Sequence, residues 1–339
     1  MKLGIGIVGS GSIAKIHASC ILEQSNAYLC GILTRNGKRA KEFASTYKTE
    51  VFTDSSAFFA QPNLNAVCVC NESGLHGESS IRALSHGNHV LCEKPLETTL
   101  SKIDSLIQTL HKSKLKLGVV FQNRMNPAYR EFKDFIQSGK LGKLLLVNTQ
   151  INWYRDEDYY KSNPWRGTLE LDGGAALMNQ GIHTLDLLLD LMGEVSTVGA
   201  LVATKTRPIE GEDLAVAHFE FQNGALGTLS AGTSLYPGFP ESISVYGSKG
   251  NMVFEAGQIH SCSLPEWRPK EKPQANQANN SPKLNSIALH QSILNNFIEA
   301  IDQDKQPLVS ALEARKSVAL IQAIYQASKT KQIIKIETL

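Results

Sequence analysis

Leu3-Gly4-Ile5-Gly6-Ile7-Val8-Gly9-Ser10-Gly11-Ser12-Ile13-Ala14 decides the fold of this chain. The apolar run reads as a buried strand, a Gly-x-Gly turn follows it, and Ser12 to Leu22 continues with helical apolar spacing. In the pattern Gly9-x-Gly11-x-x-Ala14, Gly9 permits a tight turn and Gly11 lets the backbone approach a pyrophosphate. Ala14, standing where a third glycine is usual, still lets helix and strand pack closely. The N–H groups of Gly9 to Ile13 and the start of the helix dipole then favour phosphates. Gly-rich strand–helix turns also serve purely structural ends. The position of this one, between a strand and a helix at the start of the chain, selects the dinucleotide reading.

The 339 residues suffice for two domains with real cores. A net charge of +2 gives no electrostatic case for nucleic acid or an anionic membrane. Nothing approaches the run of ~18 apolar residues that a membrane helix needs. Lys2 before an apolar run imitates a signal peptide, but the glycines and the polar Ser12, Lys15 and His17 argue against one. Cys20, Cys30, Cys68, Cys70, Cys92 and Cys262 lack zinc-ligand spacing. They read as reduced thiols of a cytoplasmic protein without a metal site.

From the glycine turn to about Val120, strands alternate with amphipathic helices. Strands are expected at Tyr28–Leu33, Val51–Phe52, Asn65–Cys70, His89–Cys92 and Lys116–Val120, with helices at Lys38–Tyr47, Ser55–Ala60, Gly77–Ser85 and Ser101–Lys112. Such alternation implies a parallel, doubly wound sheet with its ligand at the carboxyl ends of the strands. An acid at the end of the second strand would bond the adenosine ribose and repel a 2′-phosphate. The chain reads Leu33-Thr34-Arg35-Asn36 there, with Lys38 and Arg39 following. Arg35 and Lys38 can pair with a phosphate, which favours NADP over NAD, although a basic residue also occurs in NAD sites. Glu93-Lys94-Pro95 directly follows the strand His89–Cys92. Pro95 restricts Lys94 to extended geometry and fixes it at a strand end, within reach of a substrate hydroxyl. A lone lysine in such a place can also be a solvated surface residue.

Beyond Asn126-Pro127, an N-cap and first-turn proline for a helix ending at Gly139, the pattern changes to strands and tight turns. Phe219–Thr228 reads as a hairpin on a type I′ Asn223-Gly224 turn, and Ser244–Phe254 as another. An antiparallel sheet is expected from about Lys143 to His260, interrupted by one helix, with one face free to meet a second subunit. Pro265–Lys283 reads as an exposed loop, Leu289–Asp302 and Ala311–Lys329 as helices, and Ile333–Ile336 as a last strand. Within Leu171–Leu188, a helix would put Asn179 and His183 on one face, with Asp186 one turn beyond. A histidine with its ordinary pKa near ~6.5 is a natural base for a hydroxyl proton, although a helix histidine is often structural.

Gly9-Ser10-Gly11, Glu93-Lys94-Pro95 and Asn179-Gln180-Gly181-Ile182-His183 together resemble the Gfo/Idh/MocA oxidoreductases over essentially the whole chain. The resemblance implies α/β architecture: a Rossmann domain with a parallel sheet over 1–121, and an α+β domain with an open-faced, largely antiparallel sheet over 122–339. It implies hydride transfer between NAD(P) and a secondary hydroxyl or ketone of a sugar, sugar acid or nucleotide sugar, in a homodimer or homotetramer. Lys94 and His183 take the family's substrate-contacting and catalytic roles, with Asn179 beside them. Gly9, Ser10, Gly11, Ser12, Ile13, Thr34, Arg35, Lys38, Asn71, Ser73, His76, Glu93, Lys94 and Gln122 fall on the cofactor side. Tyr159-Tyr160, Pro164-Trp165-Arg166-Gly167 and Asp172-Gly173-Gly174 resemble the UDP-N-acetylglucosaminuronate 3-dehydrogenase subgroup. That likeness puts Trp165 and Arg166 at nicotinamide and substrate, with Asn123, Arg124 and Tyr154 on the substrate side. The chain departs from the pattern at Asn179, where many members have aspartate, and in lacking an acid near Thr34. It departs again in reading Asn71-Glu72-Ser73 where a Thr-Pro-Asn turn is usual. Two other readings of the same fold are a non-catalytic NAD(P)-binding regulator and a redox-assisted glycosidase.

Overall fold

The opening apolar run forms β1 (Leu3–Val8), buried from Gly4 onward, and the glycine turn leads into α1 (Ser12–Leu22). Then follow β2 (Ala27–Leu33), α2 (Gly37–Tyr47), β3 (Val51–Phe52), α3 (Ser55–Phe59), β4 (Ala66–Val69) and α4 (His76–Ser85). β5 (His89–Cys92), α5 (Leu100–Ser113) and β6 (Leu117–Val119) complete the alternation. In this computed structural model the described residues are 2–35, 37–265, 267 and 283–336, the side chains of 283–286 excepted. The expected loop Pro265–Lys283 therefore lies almost wholly outside them, as does Asn36.

The six strands pair in parallel in the order β3-β2-β1-β4-β5-β6. The order reverses at β1, so a crevice opens at the carboxyl ends of β1 and β4, where doubly wound sheets take ligands. A parallel sheet is apolar on both faces and needs helices on each. Part of that cover comes from far along the chain. Helix Lys283–Asp302 (α9) packs on α1 and β5, and Gly118 of β6 bridges to Ser310. The chain thus divides into 1–122 with 283–315, and 123–282 with 316–339. Sequence reading placed all of 122–339 in the second domain, because an amphipathic helix does not announce which sheet it covers.

The second unit contains α6 (Pro127–Gln137), β7 (Leu144–Asn152), α7 (Glu157–Lys161), α8 (Ile182–Met192), β8 (Val195–Ala203), β9 (Leu214–Phe221) and β10 (Leu226–Gly232). β11 (Ser242–Gly247), β12 (Asn251–Glu255) and β13 (Gln258–Cys262) follow; α10 (Ala311–Thr330) runs from the first unit into it, before β14 (Ile334–Lys335). The eight-stranded sheet runs β13-β12-β11-β7-β10-β9-β8-β14 and is antiparallel except between β7 and β10. A parallel pair needs a long crossover, and here α7, α8, β8 and β9 supply it. The single expected interruption is therefore two helices and an irregular turn. The β9–β10 connection also differs from expectation. Only Gly224 has positive φ, at 82°, and Gly224 N–H bonds Phe221 O at 2.9 Å, so the hairpin is a three-residue turn rather than type I′. Asn223 serves through its side chain, which accepts from Ala225 N–H and donates to Met192 O.

β9 alternates buried and exposed residues, so the sheet has an inner and an outer face. Helix α8 is packed against β7 and β11 and is buried from Thr184 to Leu189. Its charged residues are met from the opposite side. Arg124 donates Nε and Nη2 to the two oxygens of Asp186 at 2.8 and 2.7 Å, and Nη1 to Asp190 at 3.0 Å. Tyr129 and Lys133 of α6 each reach Asp190 at 2.7 Å. Removing one partner of a buried pair strands the other's charge. Arg124→Ala should therefore lower unfolding stability by about 3–5 kcal/mol in a urea titration; a loss below ~1 kcal/mol would mean that α8 is held by its apolar contacts alone.

Candidate active site

At the carboxyl end of β1, Gly9 has φ 109°, and a Cβ there would lie 2.5 Å from Cys70 O. No other residue fits this turn. Gly11 caps α1 without a side chain, and a Cβ built on it meets nothing within 4 Å. The turn formed by Gly9, Ser10, Gly11, Ser12 and Ile13 is therefore open above, with helix N–H groups of α1 available. Ser10 and Thr34 join β1 to the end of β2 through a 2.7 Å hydroxyl–hydroxyl bond. Arg35 lies 3.4 Å from Glu72, and Lys38 is exposed at the start of α2. Asn71 donates to Ser79 Oγ, while its Oδ1 is buried without a partner among the described residues. The same holds for Gln122 Oε1 after β6. An uncapped helix start, an open glycine turn and two orphaned buried acceptors at the strand ends fit a dinucleotide.

Other residues from the cofactor side do structural work. Ser73 is buried in a short turn before α4. His76 is buried, with its ring nitrogens 2.6 Å from Pro95 O and 3.1 Å from Asn71 O. Glu93 is buried too, and its Oε1 is 2.8 Å from His17 Nε2 and 3.7 Å from His290 Nε2. Burial pushes the Glu93 carboxyl up. The hydrogen bond from His17 and the charges of His17, His290 and Lys94 outweigh it, and hold the group down at about 2. These contacts fix the strand end on which Lys94 stands. The Lys94–Pro95 peptide is cis, and between Val90 and Thr98 Lys94 alone is not buried.

In the second unit, Asp172 to Leu189 is buried except at Asn179, Gln180 and His183. The α-helical spacing expected for Asn179 and His183 is replaced by a π-turn over Ala176–Gly181. Gln180 N–H reaches back five residues to Ala175 O at 3.2 Å, and α8 begins only at Ile182. Such turns recur at functional sites because they swing side chains out of helical register. The cause here is Glu212. Its Oε1 accepts Leu177 N–H at 2.7 Å, and its Oε2 accepts Ala175 N–H at 3.3 Å and Tyr325 O–H at 2.9 Å. Burial pushes this carboxyl up, against the pull of those bonds.

Asn179 Nδ2 donates to Asp172, whose other oxygen accepts Gly167 N–H at 2.8 Å. Asn179 Oδ1 accepts from Gln180 Nε2 at 2.6 Å, and Gln180 also donates to Tyr159 Oη at 2.6 Å. Arg166 lies over the Tyr159 ring at 4.1 Å and over Trp165 at 5.4 Å. Arg155 is 5.6 Å from the Tyr159 ring and 5.2 Å from Trp153. Arg155 donates to Gln180 Oε1, but neither arginine meets a carboxylate among the described residues, and Arg166 Nε is buried without a partner among them. The structure thus brings Trp165, Arg166 and Asn179 together with Arg155, Tyr159, Asp172 and Gln180, to which sequence reading gave no role. Tyr159, Asp172 and Gln180 stand inside the motif segments; Arg155 and Glu212 carry no local signal. Tyr154 sits apart, edge-on to Tyr236 and under Arg207. Asn123 is half-buried at the start of the unit, and Arg124 is the buried partner of Asp186. Asp186 is the carboxylate that holds this arginine.

Residues 3–121 match the Gfo/Idh/MocA oxidoreductase family, NAD-binding Rossmann fold, and residues 129–253 match the Gfo/Idh/MocA C-terminal domain. The WlbA dehydrogenase from Bordetella pertussis, solved in complex with NADH and UDP-GlcNAcA, is 30% identical, with 100% of both chains covered and a TM-score of 0.89. Its counterpart from Chromobacterium violaceum, in complex with the same two ligands, is 28% identical, covering 100% of this chain and 97% of that one, with a TM-score of 0.88. Myo-inositol 2-dehydrogenase from Thermotoga maritima is 27% identical over 256 residues, 73% of this chain and 74% of its own. The chain belongs to the Gfo/Idh/MocA oxidoreductases, and its first unit carries their NAD-binding Rossmann domain.

The low Glu93 pKa has a consequence for stability. A carboxyl depressed on folding stabilises the native state above its unfolded pKa, and that contribution is lost as pH falls through the folded value. Between pH ~4.5 and ~2 the parent should lose about 3 kcal/mol of unfolding stability that Glu93→Gln does not lose. Parallel acid profiles of the two proteins would show that the Glu93–His17 contact contributes nothing.

Proposed function

We propose that this chain transfers a hydride between a nicotinamide cofactor, with NADP(H) preferred, and a secondary hydroxyl of an acidic nucleotide sugar of the UDP-N-acetylglucosaminuronate type. The observation that carries the reading is the exposure pattern of 172–189, where Asn179, Gln180 and His183 alone reach solvent from an otherwise buried segment. The acidic substrate is supported by Arg155 and Arg166, two guanidiniums stacked on one tyrosine beside that opening with no carboxylate of their own among the described residues. The ligands of the two WlbA structures support the same class. The basic Arg35 and Lys38, with no acid at the end of β2, support NADP(H).

The bound cofactor supplies the hydride acceptor. The hydroxyl must also lose a proton, and the chain's own residues divide that work. Lys94, when charged, orients and polarises the oxygen by hydrogen bonding but cannot accept the proton. Asn179 is an amide, and its Nδ2 is committed to Asp172. His183 is the base: a neutral imidazole accepts the hydroxyl proton at a ring nitrogen and returns it in the reverse direction. Arg166 and Trp165 hold the substrate's anionic and apolar parts.

Turnover is measured as nicotinamide absorbance with UDP-N-acetylglucosaminuronate, myo-inositol and neutral sugars. The acidic sugar nucleotide should be the substrate. His183→Ala should lower its oxidation rate by ~100-fold or more with cofactor affinity intact, and Lys94→Ala should also cripple turnover by loss of orientation. Near-parent turnover in His183→Ala would remove this histidine as the base. No turnover of the acidic substrate, with oxidation of neutral polyols, would overturn the substrate class.

The outer sheet face carries Leu201 and Val216 opposite each other, and Leu226 and Tyr246 flanking Leu146 in one row, all exposed except the half-buried Leu146. We infer that a second copy of the chain covers it, in a cytoplasmic homodimer or homotetramer. Among the described residues no helix is long and apolar enough to cross a membrane, and the six cysteines are free thiols. Light scattering at micromolar concentration should give a multiple of 37.1 kDa; the monomer mass would contradict the assembly.

A further inference from the structure

The acid that commonly closes the second strand of a dinucleotide-binding sheet is absent here, yet the structure brings a carboxylate to the same arginine from another strand end. We propose that Glu72, on the turn after β4, sets the discrimination between NAD(H) and NADP(H) by holding Arg35 and opposing a 2′-phosphate. The inference deepens the cofactor reading given above and rests on it for the site of binding.

Three observations carry it. Arg35 Nη2 lies 3.4 and 3.5 Å from the two Glu72 oxygens. Arg35 follows β2 and Glu72 follows β4, while β1 lies between these strands in the sheet. The pair therefore spans the carboxyl end of β1, where the Gly9–Gly11 turn stands open. Thr34, at the end of β2, is buried with its hydroxyl bonded to Ser10. It presents no carboxylate, and the acid that reaches Arg35 comes from the end of β4.

The charge balance follows. The Arg35 side chain is 79% exposed and that of Glu72 29%. An exposed ion pair of this length contributes little to stability, so Arg35 can turn to a stronger anion at small cost. The Glu72 backbone stays in place when it does, because it caps the Ser73–Leu75 turn and its carbonyl accepts Leu75 N–H at 2.9 Å, which keeps the carboxylate at the end of β4. An incoming phosphate thus gains Arg35 and meets the Glu72 carboxylate. The neighbouring charges are already distributed: Lys15 of α1 pairs with Glu42 of α2, which also feels Arg39 and Lys38. Glu72 is the acid whose removal changes the balance at Arg35.

The test is direct titration of the parent, Glu72→Gln, Arg35→Ala and the double variant with NADPH and with NADH, followed by calorimetry. Glu72→Gln is isosteric at a part-exposed position. It should raise NADPH affinity about fivefold or more, the scale of one unit charge acting near ~5 Å in a largely aqueous surrounding, and change NADH affinity less than twofold. In the Arg35→Ala background the gain should fall to half or less. An unchanged NADPH affinity in Glu72→Gln overturns the proposal. So does a rise in the NADPH-to-NADH ratio produced by NADH loss alone, which would make Glu72 a ribose ligand. The parent's own ratio tests the NADP(H) preference separately: equal or better binding of NADH refutes that preference whatever Glu72→Gln does.

Discussion

A single buried carboxylate sets the path of the segment that carries Asn179, Gln180 and His183. Among the described residues Glu212 is satisfied by two backbone N–H groups and a tyrosyl hydroxyl. Those two N–H groups belong to Ala175 and Leu177, at the start of the π-turn, so the carboxylate defines where the turn begins. Gly174 just before it has φ 139°, and a Cβ there would lie 2.2 Å from Tyr325 Oη. Sterics on one side and charge-assisted hydrogen bonds on the other leave the segment one path. Along that path Asn179, Gln180 and His183 emerge, and their neighbours are buried.

Both units bring a polar side chain out of a buried stretch in the same way. Lys94 stands in a buried stretch fixed by Glu93, His17, His290 and His76, all buried, and His183 stands in a buried stretch fixed by Glu212, Asp172 and Arg124. In each case a neighbouring acid is bonded to a buried basic residue, Glu93 to His17 and Asp186 to Arg124.

The sequence made the parallel sheet legible because the glycine turn and the strand–helix alternation are local signals. Lys94 was legible because Pro95 constrains its neighbour directly. The rest depends on partners far apart in the chain. Helix α9 could be recognised as amphipathic, but Glu93–His290 and Gly118–Ser310 decide that it belongs to the first unit. The four-residue spacing of Asn179 and His183 suggested a helix face, and Glu212, 33 positions beyond Asn179 in the numbering, replaces that face with a π-turn. Arg124 looked like a substrate ligand in a motif and proves to be bonded to Asp186, 62 residues away. Arg35 and Glu72 are separated by 37 residues and meet only because β1 lies between their strands.

The central claim is that His183 is the reactive histidine presented by an otherwise buried segment. Diethyl pyrocarbonate acylates accessible neutral imidazoles, and His17, His76 and His290 are 1–3% exposed. Peptide mapping of the modified protein should find His183 acylated in step with loss of turnover, and cofactor with acidic sugar nucleotide should protect both. Loss of turnover that tracks another histidine, or acylation of His183 that substrate does not slow, would contradict the account.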